Sequence, residues 1–255
     1  MKKTFSEILL QDENEIKLAR VLTTFDLPFR KYPHFGTWSY LLNSNDGIIV
    51  FDTGPHFNSF LIRTEKNKTN NANKIIETIQ KYFPNKTVRE IIISHYHYDH
   101  SECAPELQKK VFEQFGNTPP IRIHIEDSGD KKLLKVFNSS LKKVFNNAGF
   151  KKWTMGDFVE HNEEIKGTNF KIKHTPGHTH GNISLVNKKD KIAIIGWWAK
   201  DLYHPILSAI PCYLLNEDGS SMPKTIQKIQ SKYKDFTLYY YHPVIDTVFT
   251  PNINK

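Results

Sequence analysis

The sequence predicts a layered α/β domain, and two observations carry that reading. Strand and helix signals alternate along the chain, and the first fifty residues hold several strand signals in succession before any helical one. Consecutive strands of that kind form antiparallel hairpins, which a plain doubly wound sheet lacks. "KLARVLTTFDL", "GTWSYLLNS" and "GIIVFDTG" set apolar and β-branched residues between Gly, Asp and Asn breakers. "NANKIIETIQKYF" places Ile75, Ile76, Ile79 and Phe83 on one helical face and leads into the apolar strand "VREIIIS". In "PELQKKVFEQFG" Leu107, Val111 and Phe115 recur at helical spacing, and Gly116 is a natural stop. "PPIRIHIED" reads as a strand, "DKKLLKVFNSSLKKVFNNAG" as a helix ended by Gly149, and "TNFKIKH" and "NISLVNKKDKIAIIG" as strands. The last third adds a helix in "MPKTIQKIQSKY" and a strand in "DFTLYYYH".

With 255 residues, 38% of them hydrophobic and 24% charged, the chain falls in the globular range and is expected to form one domain over residues 1–255. In "MKKTFSEILLQDENEIK" the apolar stretch is only Ile8 to Leu10, too short for a signal peptide or a membrane span, so a cytoplasmic protein with no membrane partner is expected. Cys103 and Cys212 make neither a disulfide framework nor a C-x-x-C pair. The net charge of +8 favours an anionic substrate or nucleic acid. Lysine is nevertheless accompanied by asparagine and isoleucine, as in "KNKTNNANKII", and such a compositional bias explains much of the excess.

The chemistry concentrates in "SHYHYDHS", residues 94–101, directly behind the apolar run "EIIIS". Crowding His95, His97, Asp99 and His100 at the mouth of a buried strand costs stability unless something fixes their charge states, and a metal is the simplest such thing. In an extended segment His95 and His97 share a face, whereas Asp99 and His100 are adjacent and diverge. That pattern suits two neighbouring cations. Imidazole with carboxylate favours zinc, one or two ions, with iron and manganese as alternatives. A lone histidine is more often structural than a ligand, but further histidines stand near strand ends: His178 in "HTPGHTHG" and His242 after "TLYYY".

"SHYHYDH" resembles the H-x-H-x-D-H signature of the metallo-β-lactamase superfamily, and further segments follow in the matching order. "GIIVFDTG" is similar to the family's early strand with its Asp-Thr-Gly turn, "HTPGHTHGNISL" to its T-P-G-H-T-x-G segment, and "YYYHPV" stands where a last metal histidine belongs. The resemblance implies an αββα sandwich, two mixed sheets flanked by helices, with metals at one edge. It implies that His95, His97 and His178 hold one ion, that Asp99, His100 and His242 hold another, and that Asp52 orients a ligand from behind. Two departures stand out. Trp197 in "IAIIGWWAKDL" occupies the place of the family's metal-bridging Asp; Asp201, four residues on, is either its replacement or an exposed loop residue. Tyr241 and Pro243 flank His242 where the family has glycines.

The resemblance implies a metal-dependent hydrolase using metal-activated water, with Asp99 also able to take a proton. Cys103 lacks a paired base and reads as a buried small residue. The substrate expected is a small ester, thioester or lactone; the alternatives are a phosphodiesterase or nuclease of the same fold, or a non-catalytic binding protein with a degraded metal site. The superfamily's oxygen-reducing flavoproteins carry an acidic residue where His97 stands. "FDLPFRKYPHFGTW" offers Phe29, Tyr32, Phe35 and Trp38 with Arg30 and Lys31 either as a lid or as packing for the first sheet. His56, His174, His180 and His204 read as solvated or structural, with His56 and His180 candidates for the pocket wall.

Overall fold

The structure is a computed structural model that describes residues 5–13, 15–24, 36–55, 71–128, 156–196 and 221–242. Among the described residues ten strands form two mixed sheets. The first contains β1 (Ser6–Asp12), β2 (Glu15–Thr24), β3 (Gly36–Ser44), β4 (Gly47–Phe51), β5 (Val88–Ile92) and β6 (Ile121–Arg122), in that spatial order. Pairing is antiparallel from β1 to β4 and parallel from β4 to β6. The second contains β7 (Phe170–His174), β8 (Ile183–Asn187), β9 (Ile192–Ile195) and β10 (Thr237–Tyr240), ordered β10-β9-β8-β7. Here β10 runs parallel to β9, and the other pairs are antiparallel.

The side-chain alternation of β4 explains the layers. Ile48 and Val50 point to one face, with Ile75 and Ile79 of α1 (Asn71–Tyr82) and Leu107 and Val111 of α3 (Ala104–Phe115) in the same apolar cluster. Ile49 and Phe51 point to the other, into a cluster with Ile172, Ile183, Leu185 and Ile194 of the second sheet. A strand covered on both sides has no polar face, which is why "GIIVF" is apolar throughout and wholly buried. The outer face of the second sheet buries Val186, Ala193 and Ile195 with Ile226 and Ile229 of the fourth described helix, α4 (Met222–Lys232). The layers are therefore helix, sheet, sheet, helix.

Several details differ from the sequence reading. β1 falls in the N-terminal segment that reads as polar. The strand expected over "PPIRIHIED" shortens to Ile121–Arg122, followed by a single bridge between His124 and Val159 and a 3-10 turn over Ile125–Asp127. The histidine cluster is not extended: a bend follows β5, then a short helix, α2 (Tyr98–Ser101). Phe115, placed on the apolar face of α3, is 38% exposed. Gly116 does end that helix, in the left-handed region at φ 75°. The helix expected over residues 130–149 lies outside the described residues. Among the described residues no helix is long and apolar enough to cross a membrane.

Candidate metal centre

The carboxyl ends of β4, β5 and β10 meet at one end of the sandwich, where open α/β sheets present ligand sites. Asp52 follows β4, His95 follows β5 and His242 follows β10. The two sheets are joined there by backbone hydrogen bonds from Ile183 N to Ser94 O (2.9 Å) and from Trp38 N to Tyr241 O (2.7 Å). His178 arrives on the loop between β7 and β8.

Two triads result. One ligand atom from each of His95, His97 and His178 lies within 4.8 Å of the other two, and the same holds for Asp99, His100 and His242. His95 Nε2 is 3.1 Å from His97 Nδ1, and His100 Nε2 is 3.2 Å from His242 Nε2. Donors around a tetrahedral zinc with bonds of about 2.0–2.1 Å stand roughly 3.3 Å apart, so both spacings fit such an ion. The donor chemistry fits as well: five imidazoles and one carboxylate suit zinc or a similar divalent cation.

The outer ring nitrogens of His95, His100 and His242 are occupied from behind. Asp52 is fully buried at φ 63°, a left-handed conformation that aspartate tolerates better than most residues. Its Oδ1 accepts from Ser94 N (2.7 Å), and its Oδ2 accepts from Ser94 Oγ (2.8 Å) and faces His100 Nδ1 at 2.8 Å. Ser94 Oγ, having given its proton to Asp52, accepts from His95 Nδ1–H at 2.9 Å. His242 Nδ1–H donates to Gly36 O at 2.9 Å. In each case the partner assigns the tautomer and leaves Nε2 for a cation. Gly54 completes the Asp-Thr-Gly turn at φ 78°, and a Cβ there would stand 2.1 Å from Thr23 Oγ1. The same turn holds the His100 carbonyl through Thr53 N (2.8 Å) and Gly54 N (3.2 Å).

Electrostatics separate the triads. Burial, and then the neighbouring imidazoles, hold His95 and His97 well below the usual histidine range. Burial works against charge on His100 too, but Asp99 and Asp52 outweigh it and raise this imidazole. His242 is lowered by burial and by His100. Burial raises Asp99, yet His100, His242 and His97 prevail and hold it below the ordinary carboxylate range.

The family model described as "Metallo-beta-lactamase superfamily" matches residues 32–196, well over half of the chain. The chain belongs to the metallo-β-lactamase superfamily. Solved structures agree on the fold. A metallo-beta-lactamase from Pontibacter korlensis is 16% identical with a TM-score of 0.57, over 94% of this chain and 92% of that one. A quorum-quenching N-acyl homoserine lactone lactonase is 18% identical with a TM-score of 0.55, over 84% and 82%. An N-acyl homoserine lactone hydrolase with the product N-hexanoyl-L-homoserine at its catalytic metal centre is 18% identical with a TM-score of 0.54, over 89% and 84%. No curated protein sequence matches the chain.

Against this superfamily pattern, the departure at Tyr241 has a structural role. The side chain is buried between the sheets, its ring 6.2 Å from His95 and 5.6 Å from His100, and its hydroxyl donates to Ile183 O. It forms a wall of the site where glycine would leave space. Trp197, Asp201, Pro243, His56, His204, Cys212 and residues 25–35 lie outside the described residues. Trp38 is buried, with the Arg20 guanidinium 4.0 Å above its ring. His174 donates through Nε2 to His180 O and stacks on His124 at 4.2 Å, away from both triads. Cys103 is buried and its thiol is pushed up to about 12 by that burial, so it is no nucleophile at neutral pH. Ser94 and Asp127 are the residues that sequence reasoning missed. Ser94 was recoverable, since it directly precedes the signature and its hydroxyl is the nearest polar group to His95.

Proposed function

We propose that this chain is a metal-dependent hydrolase of small esters, thioesters or lactones, working in the cytoplasm, with His95, His97 and His178 holding one cation and Asp99, His100 and His242 a second. The observation that carries the reading is the adjacency of two complete triads, with the ring tautomers of His95, His100 and His242 set from behind. Divalent ions bound there would polarise an acyl oxygen and lower the pKa of water towards neutrality. The chain's own residues do the rest. His95, His100 and His178 are buried and fix the donor positions against the Tyr241 wall. Asp99 is the one carboxylate among the six and remains 20% exposed. Ionised at neutral pH, it accepts a proton from the attacking water and returns it to the departing alkoxide or thiolate.

A phosphodiesterase is the second reading. It is favoured by the charge of +8 and by the gathering of Lys171, Lys188, Lys228 and Lys232 around Lys173. Metal analysis of untreated protein, combined with a panel of esters, thioesters, lactones and phosphodiesters, separates these readings. We expect one or two zinc-class ions per chain and ester turnover that chelation abolishes and zinc restores. Phosphodiester turnover that falls steeply with salt would move the assignment to the second reading. A folded, metal-free, inactive protein would overturn both.

A further inference from the structure

We propose that Asp127 is the positioning residue of the first triad, its one carboxylate fastening the loop of His95 and His97 to the loop of His178. It belongs to neither triad and ends the 3-10 turn Ile125–Asp127 behind β6. Oδ2 accepts from Tyr96 N at 3.2 Å, and Tyr96 lies between His95 and His97 in sequence. The same oxygen accepts from Thr179 Oγ1 at 2.7 Å, directly after His178. Oδ1 accepts from Gly181 N at 2.6 Å. A carboxylate that is 4% exposed is costly to bury, and here it is kept with three hydrogen-bond donors.

The Thr-x-Gly of "HTPGHTHG" then has a physical reason. Thr179 supplies a donor and Gly181 supplies room, since a Cβ at Gly181 would stand 2.7 Å from Asp127 Cγ, N and Oδ1. The turn is itself pinned: Asp127 N donates to His124 O, and His124 pairs with Val159. Among the described residues the hydrogen bonds of Asp127 reach neither Asp99, His100 nor His242. Burial pushes its acid up to about 7, against the Thr179 hydroxyl and the Gly181 amide, which pull the other way. An amide at this position turns an NH2 group towards one set of donors and forfeits part of the clamp.

The inference rests on the metal-centre reading but not on the substrate. Zinc affinity, measured by competition with a chromophoric chelator, tests it in two backgrounds: His242→Ala, which leaves the first triad whole, and His97→Ala, which leaves the second. Adding Asp127→Asn should weaken zinc about 10–100-fold in the first background, the usual loss when a group behind a ligand is removed. In the second background the change should stay within about threefold. Thr179→Val should reproduce the loss and Thr179→Ser should restore binding, a comparison that also stands if Asp127→Asn fails to fold. An equal loss in both backgrounds, a loss confined to the second, or no loss at all would overturn the proposal. Normal zinc binding with no turnover of any ester would sink the hydrolase reading and leave this one standing.

Discussion

The two triads lie side by side yet differ in almost every physical respect. The first is built of three imidazoles, two of them held well below the usual histidine range, with its loops drawn together by a buried carboxylate. The second mixes a carboxylate with two imidazoles, and its Asp99 and His242 side chains stay 20% and 21% exposed. Its His100 is raised by Asp99 and Asp52, the opposite direction from His95 and His97. A cation at the first triad thus meets two imidazoles that resist protonation, whereas at the second it competes with a proton that His100 holds more firmly. The second triad alone offers a carboxylate open to solvent.

The sharpest way to break the comparison is to remove the first triad. His97→Ala should abolish the tighter ion and lower turnover by more than about 10³-fold, because transition-state charge stabilisation goes with it. Metal content and kcat/KM measured on one preparation check this, and full retention of both would sink the ligand assignment. Asp201→Ala probes the other side. If Asp201 bridges in place of the residue now Trp197, the variant should lose the second ion and roughly 10–100-fold in rate. A silent variant with one metal per chain in metal-replete buffer would overturn the two-ion reading.

Asp52→Asn sharpens the contrast by touching both sides at once, through Ser94 to His95 and directly to His100. Zinc affinity should fall about 10–100-fold at each triad, measured in the His242→Ala and His97→Ala backgrounds. A loss confined to the second triad would show that the Ser94 link carries nothing, and one confined to the first that the direct contact with His100 does not matter. The smallest effect is on pH. His95 and His97 are lowered well below the usual histidine range, so zinc affinity of the first triad should depend on pH less steeply than that of the second. His100 is raised, so at the second triad each zinc displaces its proton, and affinity should climb up to about tenfold per pH unit until that proton is gone. As pH falls, the second ion therefore leaves first. The reverse order would contradict the charge assignment.

How much of this was legible in the sequence depended on distance along the chain. β4, α1, α3 and the β8–β9 hairpin carry local apolar periods, and they were read close to their limits. β1 was missed because "SEILLQD" pairs with β2 through two register shifts and keeps no strict alternation. The sequence reads the His95–Asp99 segment as extended, since nothing local announces a helical turn whose amides at His100 and Ser101 both donate to His97 O. The triads were legible through motif order, which substitutes for contacts that local pattern cannot give. Asp127 was not, because its donors lie 31 to 54 residues away and belong to segments that look unrelated until folded.

One carboxylate at the end of β4 has a consequence for how cations load. Asp52 Oδ2 receives both the Ser94 hydroxyl, on which His95 leans, and His100. A cation in either triad would bear, through this shared carboxylate, on the anchoring of a ligand of the other, and the two binding steps would share a coupling free energy. By thermodynamic reciprocity the first ion must alter the affinity for the second by the same factor as the second alters that for the first. Two cations loaded through one shared carboxylate would bind as a coupled pair, and the metal content measured would follow free zinc rather than a fixed count.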